Sequence, residues 1–196
     1  MKIIEKDETV NWIESPPHYN TPSGIECINI IRHLPHTLAT AVKYVWRFNH
    51  KWDPAEDLGK AEFYLNDYRV KTFESKEFDM QFHKATLIGA KTVMEGPLRT
   101  DLRKHIVYLE TTGCASASFF NLIYNFLAEA ATYETVSYRL IQGAEVELKK
   151  LMKVSSTSTE DEGFNETGEP KEEKAVGEES PNNTNLLPDA ASRKDN

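Results

Sequence analysis

Leu58, Ala61, Leu65, Tyr68 and Thr72 recur at alternating steps of three and four, the spacing that places side chains on one face of an α-helix. Directly ahead of them stands Asp53-Pro54-Ala55-Glu56, a capping box with proline at the favoured first helical position. Such a chain must bury one stripe of a helix that starts near residue 54, and the surfaces that cover it must come from elsewhere in the sequence. Two shorter helices are expected before it. Ser23-Gly24-Ile25-Glu26 reads as another capping box, with Ser23 as N-cap, opening a helix that buries Ile25, Ile28, Ile31 and Leu34 and stops at Pro35. Thr37 is the N-cap expected for a second helix running to about Asn49. Ahead of both, Ser15-Pro16-Pro17-His18-Tyr19-Asn20-Thr21-Pro22 is an extended loop, because proline fixes φ and biases its predecessor away from the helix.

Beyond Phe73 the pattern stays helical. Helices are expected near 76–95, 98–111, 116–131 and 133–153, separated by Gly96-Pro97, by Gly113 and by a weak break at Thr132. No strand with hairpin punctuation stands out, although Ile106-Val107-Tyr108-Leu109 is locally ambiguous. From Ser155 the composition turns to Ser, Thr, Glu, Gly, Pro and Asn, too poor in large apolar residues to offset the entropy of ordering. The expectation is an all-α chain: an N-terminal segment 1–15, a compact three-helix domain 16–73, a helical bundle or oligomerisation segment 74–154, and a disordered acidic tail 155–196. Three short helices make a marginal core by themselves. The run Phe119-Phe120, Leu122-Ile123-Tyr124, Phe126-Leu127 is apolar on more than one face. It should be buried against the first domain or against another copy, so a homo-oligomer is expected.

Charge is unevenly spread. The net charge is −8, yet residues 155–196 hold eleven acids against four bases and leave the rest of the chain close to neutral. That balance lacks the basic footprint a duplex nucleic acid requires, so none is expected as a partner. No apolar stretch reaches membrane-spanning length, and Met1 to Asp7 lack the apolar core of a secretory signal. Cys27 and Cys114, the two cysteines, have no metal-ligand spacing. Reduced thiols in a cytoplasmic protein, with no membrane partner and no resident metal, are the expectation.

The residues that carry chemistry lie between His18 and Tyr64. Lys43, Arg47 and Lys51 follow one another at steps of four, on one helical face and with no acid between them. Three such cations repel one another unless an anion or a partner's carboxylates sit there; the plain alternative is a solvated face favoured by the helix dipole. Tyr44, Trp46, Phe48 and Trp52 cannot all be core, so some of them should wall a pocket. Glu56 and Lys60 form an i, i+4 pair, and Glu56 already has a capping role. Asp57 has none and is the better candidate for a functional carboxylate. Glu26 is explained as a cap. His18 lies in the proline-stiffened loop, where an imidazole could meet a phosphate or move a proton near neutral pH; packing on its own loop is the ordinary alternative. There is no GxxxxGK[ST], GxGxxG, GxSxG or HExxH motif.

His18-Tyr19, Ile25-Glu26, Lys43-Tyr44 with Arg47, Lys51, Asp57-Leu58 with Lys60-Ala61, and Tyr64 together resemble a family of small phage proteins long carried as a domain of unknown function. The resemblance runs from about Pro17 to Tyr68. Where that family has Gly-Asn, this chain has Ala39-Thr40, and its basic turn is Phe48-Asn49-His50-Lys51. The family includes the nucleotide kinase of T-seven-like podophages, which phosphorylates deoxynucleoside monophosphates without the usual kinase motifs. The resemblance implies a nucleotide-binding protein of the infected bacterial cytoplasm, with a nucleoside triphosphate as phosphate donor. Lys43, Arg47, Lys51 and Lys60 would hold phosphates, His18 and Asp57 would position or deprotonate the acceptor, and Tyr19, Tyr44 or Tyr64 would stack on the base. A non-catalytic nucleotide binder acting on host metabolism or defence is the alternative. An all-α nucleoside triphosphate pyrophosphohydrolase is another, but it needs several carboxylates around magnesium, and Glu26, Glu56 and Asp57 are few.

Overall fold

The structure, a computed structural model, describes residues 19, 23–50, 53–75 and 80–157. All secondary structure of any length in these residues is helical: α1 (Cys27–Ile31), α2 (His36–Arg47), α3 (Pro54–Arg69), α4 (Met80–Glu95), α5 (Leu98–Thr111), α6 (Ala117–Tyr133) and α7 (Tyr138–Thr157). A 3-10 turn, Phe48–His50, closes α2, and a π-helical turn, Val70–Glu74, extends α3. Ile106 to Leu109 lie inside α5. The N-terminal residues to 18 and the tail from 158 onward lie outside the described residues.

The stripe that defined α3 is its buried face: Leu58, Ala61, Leu65, Tyr68 and Thr72 are all buried. The cap ahead of it forms as the sequence requires, with Asp53 Oδ1 accepting from the Glu56 backbone N–H at 2.8 Å. The first capping box does not form. Gly24 takes the left-handed φ of 74° and turns the chain just before the helix. Glu26, not Ser23, is the N-cap residue of α1, with extended backbone and no side-chain cap bond. The late start rotates the buried face: Cys27 and Ile30 join Ile25 and Leu34 in the core, while Ile28 is exposed. Thr37 is not a cap either, since α2 starts from Pro35, whose carbonyl accepts from Ala39 N–H at 2.8 Å. Thr37 is instead buried within the first turn. The break expected at Thr132 falls later, at Glu134, which takes a left-handed φ of 53°.

α2 packs most extensively on α3, and α3 in turn packs on α7. α6 lies against α4, α5 and α7. Its apolar run is buried within this chain: Phe119, Phe120, Ile123, Phe126, Leu127 and Ala130 are all core residues. Two aromatic contacts join α6 to the first helices. Phe126 meets Tyr68 of α3 edge-on at 6.2 Å, and Phe120 meets Trp46 of α2 edge-on at 5.5 Å. The helical groups on either side of residue 74 therefore share one core, which holds the α2–α3 pair in place from behind. α4 approaches the exit of α1 so closely that a Cβ at Gly89 would lie 1.9 Å from the carbonyl oxygen of His33.

Candidate functional site

A short connection joins α2 to α3, so the last turn of one helix stands beside the first turn of the next. Arg47 ends α2 and Asp57 lies in the first turn of α3. Their side chains meet in a two-pronged pair: Arg47 Nε donates to Asp57 Oδ2 at 2.9 Å, and Nη2 donates to Oδ1 at 2.8 Å. The third nitrogen, Nη1, donates to Tyr19 Oη at 2.9 Å. The carboxylate is 4 % exposed and the guanidinium 14 %. Burial works against the charge on Arg47, but the hydrogen bonds and charge of Asp57 and Tyr19 outweigh it and raise its pKa. A fork–fork geometry of this kind makes a strong and directional side-chain ion pair.

Around this pair the aromatic residues divide. Trp46 and Phe48 are core, while Tyr44 is half-buried and forms a wall. Its ring is the centre of the site, because three cations lie over it. Arg47 Cζ is 4.7 Å from the ring centroid, Lys43 Nζ 4.8 Å and Lys60 Nζ 5.8 Å. Tyr64 of α3 stacks on Tyr44 at 6.1 Å with 20° between the planes. His36 meets the edge of Tyr64 at 6.4 Å, a contact with no sequence signal beyond its place at the start of α2.

The three cations differ in their partners. Arg47 is paired with Asp57, and Lys60 is paired with Glu56 one turn away. Lys43 has no hydrogen-bonding or ion-pair partner among the described residues beyond the Tyr44 ring. Burial lowers its pKa, and the positive charge of Arg47 lowers it further. Beneath them Cys27 is buried, and desolvation pushes its thiol up to about 12 despite Lys43 and Arg47, so it stays protonated and unreactive.

The structure thus brings together Tyr19, Lys43, Tyr44, Arg47, Asp57, Lys60 and Tyr64 from α2, α3 and the segment ahead of α1. His18 and Lys51 lie outside the described residues, as does Trp52. Glu26 is the N-cap residue of α1 and forms no ion pair with this cluster among the described residues. Among the described residues no group of three or more His, Cys, Asp or Glu side chains is placed to hold a metal ion. The chemistry available is that of a cation-edged aromatic shelf with one cation left over, which suits an anion attached to a flat ring.

Residues 13–66 match the model of a family described as a protein of unknown function (DUF3310). The matched stretch contains every residue of the cluster just described and ends within α3. No curated protein and no solved structure matches the chain.

Proposed function

We propose that this chain binds nucleotides on the Tyr44 shelf and serves as a nucleoside monophosphate kinase, with a nucleoside or deoxynucleoside triphosphate as donor. The observation that carries the reading is Lys43: a half-buried cation, beside a second cation and over a π face, with no ion pair of its own among the described residues. An anion completes that arrangement. Phosphate on Lys43 with a base against Tyr44 and Tyr64 uses every exposed feature of the cluster.

Phosphoryl transfer needs positioning and charge neutralisation more than covalent participation. An oxygen of the acceptor monophosphate attacks the γ-phosphorus of the donor, the bond to the bridging oxygen breaks, and two diphosphates leave. The acceptor is already largely ionised at neutral pH, since the second pKa of a phosphate monoester is about 6, so Asp57 is not required as a base. Its role in this reading is to fix Arg47, whose outer edge and the lysines face the phosphates. Lys60 shares its charge with Glu56 and supplies a weaker contact.

Pure protein, a labelled triphosphate and a panel of deoxynucleoside monophosphates test this directly. Labelled diphosphate is expected with at least one base and is expected to vanish in Lys43→Ala. No transfer across the full panel removes the kinase.

The Arg47–Asp57 pair favours a second reading. Because the strongest cation of the site is already neutralised, the shelf could retain a nucleotide without turning it over. Calorimetric binding without product formation selects this non-catalytic binder. A pyrophosphohydrolase is not favoured, because Asp57 and Glu56 are each held by a cation instead of facing a shared metal.

A further inference from the structure

A second cluster of cations and an aromatic ring lies on the α5–α6 pair, built from different helices. Arg99 and Arg103 stand one turn apart on the exposed face of α5. Arg99 Nε donates to Tyr124 Oη at 3.1 Å. The Arg103 guanidinium lies 5.9 Å from the centroid of the same tyrosine ring, and its Nη1 donates to Asn121 Oδ1 at 3.3 Å. Asn121 Nδ2 in turn donates to Glu110 Oε1 at 2.8 Å. The carboxylate therefore acts at one remove: it holds the Asn121 amide with its oxygen toward Arg103 and makes no direct ion pair with the guanidinium. Asp101, on the same helix, faces Lys104 at 3.8 Å. Among the described residues neither Arg99 nor Arg103 has an ion-pair partner. With Thr100, Lys104 and Val107 they line an open groove of about 360 Å³.

An ordinary solvated arginine keeps its rotamer freedom, about 2 kcal/mol in all. Here two are held around one ring by side chains of the neighbouring helix, without a direct ion pair among the described residues. Such forks match the geometry of a phosphate and lose little further freedom on meeting it. Tyr124 and Val107 add an apolar wall beside them, of the kind on which a base can stack. The volume is that of a small-ligand site. We propose that this groove is a separate binding site for a ligand of the nucleotide class, its phosphate gripped by Arg99 and Arg103 and its base laid against Tyr124. A free nucleotide and the exposed residues of a single strand present the same chemistry. The site does not depend on the Tyr44 shelf, since none of its residues is shared.

Full-length Lys43→Ala protein, in which the first shelf has lost its uncompensated cation, is titrated with dTMP, with inorganic phosphate and with a fluorescein-labelled oligothymidylate of about a dozen residues at low salt. Binding of dTMP or of the oligonucleotide is expected, and Arg99→Ala/Arg103→Ala in the same background is expected to weaken it by about tenfold or more. Competition by dTMP points to a free nucleotide, and binding of the strand alone points to a polymer; both stand within the proposal. Tyr124→Leu should also weaken the nucleotide while leaving inorganic phosphate unchanged. No binding of either probe, equal affinity of the arginine double variant, or, where dTMP is the probe that binds, an affinity no better than that of inorganic phosphate overturns it. Arg99 and Arg103 are exposed and Tyr124 is half-buried against the core, so a circular-dichroism spectrum and melt of each variant check that the fold is retained.

Discussion

Arg47 and Asp57 form one unit, and their substitution should behave accordingly. Removing one partner leaves a buried charge with no counter-ion, which costs about 3 kcal/mol or more. Arg47→Ala should therefore lower stability in urea by that order because it orphans the more buried Asp57 carboxylate, and Asp57→Ala by somewhat less because the guanidinium it leaves behind is the more exposed partner. The double variant should recover part of the loss, with a coupling of about 1–3 kcal/mol; additive losses would show that the pair contributes no interaction of its own. His105 makes a different prediction. It is 1 % exposed, stacked on Trp46 at 3.7 Å, and neither ring nitrogen has a partner among the described residues. Burial, with a smaller push from His50, lowers its pKa from 6.5 to about 4. Between these values the unfolded chain binds a proton that the folded chain refuses, so stability falls as pH falls through this window. At about 1.4 kcal/mol per pKa unit the loss approaches 3 kcal/mol. His105→Phe should flatten that part of the pH–stability curve; an unchanged slope between pH 6.5 and 4 contradicts the assignment. Much of the Tyr44 shelf was legible because Lys43, Arg47, Asp57 and Lys60 are bound to helix positions by their spacing. What spacing could not convey was pairing across helices. Asp57 looked unoccupied along its own helix, yet it is taken by Arg47 ten residues earlier. His105 and Trp46 carry no local signal at all, since their contact is set by how α5 packs.

At the scale of single helices, the legible elements were those with caps or stripes that one neighbour suffices to fulfil. α3 begins and buries itself as Asp53-Pro54 and its apolar steps dictate. α1 does not, because Gly24 takes a left-handed turn that a capping pattern read from residue types alone does not anticipate. Two glycines inside helices separate the intrinsic and the packing contributions. Gly59 lies in α3 with nothing within 4 Å of an added Cβ, so Gly59→Ala should raise stability by roughly 0.5–1 kcal/mol through helix propensity. Gly89 has the opposite setting: its Cβ would strike the His33 carbonyl, a backbone atom that cannot swing aside. Gly89→Ala should lower stability by about 1–3 kcal/mol as α4 is forced away from the end of α1. Thermal melts of the two variants should move in opposite directions. A rise in both would mean that α4 does not sit as close to α1 as described.

For the molecule as a whole, the sequence pattern conveyed two groups of helices and an apolar run in the second that needed covering, but not what covers it. Periodicity reports which face of a helix is buried and is silent about the partner. The cover for Phe119 to Leu127 is the rest of the same chain, and the dependence is mutual. Trp46 finds His105 and Phe120, and Tyr68 finds Phe126 and a 2.9 Å hydrogen bond to Thr86. Burial lifts the Tyr68 hydroxyl to about 12, so it remains a donor over the whole useful pH range. Both residues sit on the helices that carry the Tyr44 shelf, one turn or less from Arg47 and from Tyr64. Ending the chain after residue 75 removes all four of these partners and exposes a tryptophan, a tyrosine and the seam beneath them, each large side chain worth about 1.5–3 kcal/mol of burial. That loss is comparable with the whole stability of a small domain. A fragment of residues 1–75 should therefore show partial helicity that melts away gradually in urea, while the full chain unfolds in a single transition at a measurable midpoint. The nucleotide binding proposed for the shelf should disappear with the fragment's cooperativity, because α2 and α3 no longer hold Lys43, Tyr44 and Tyr64 in register. A fragment that unfolds as sharply as the full chain would mean that the first three helices close their own core, and that the remaining four are an appendage instead of the floor of the site.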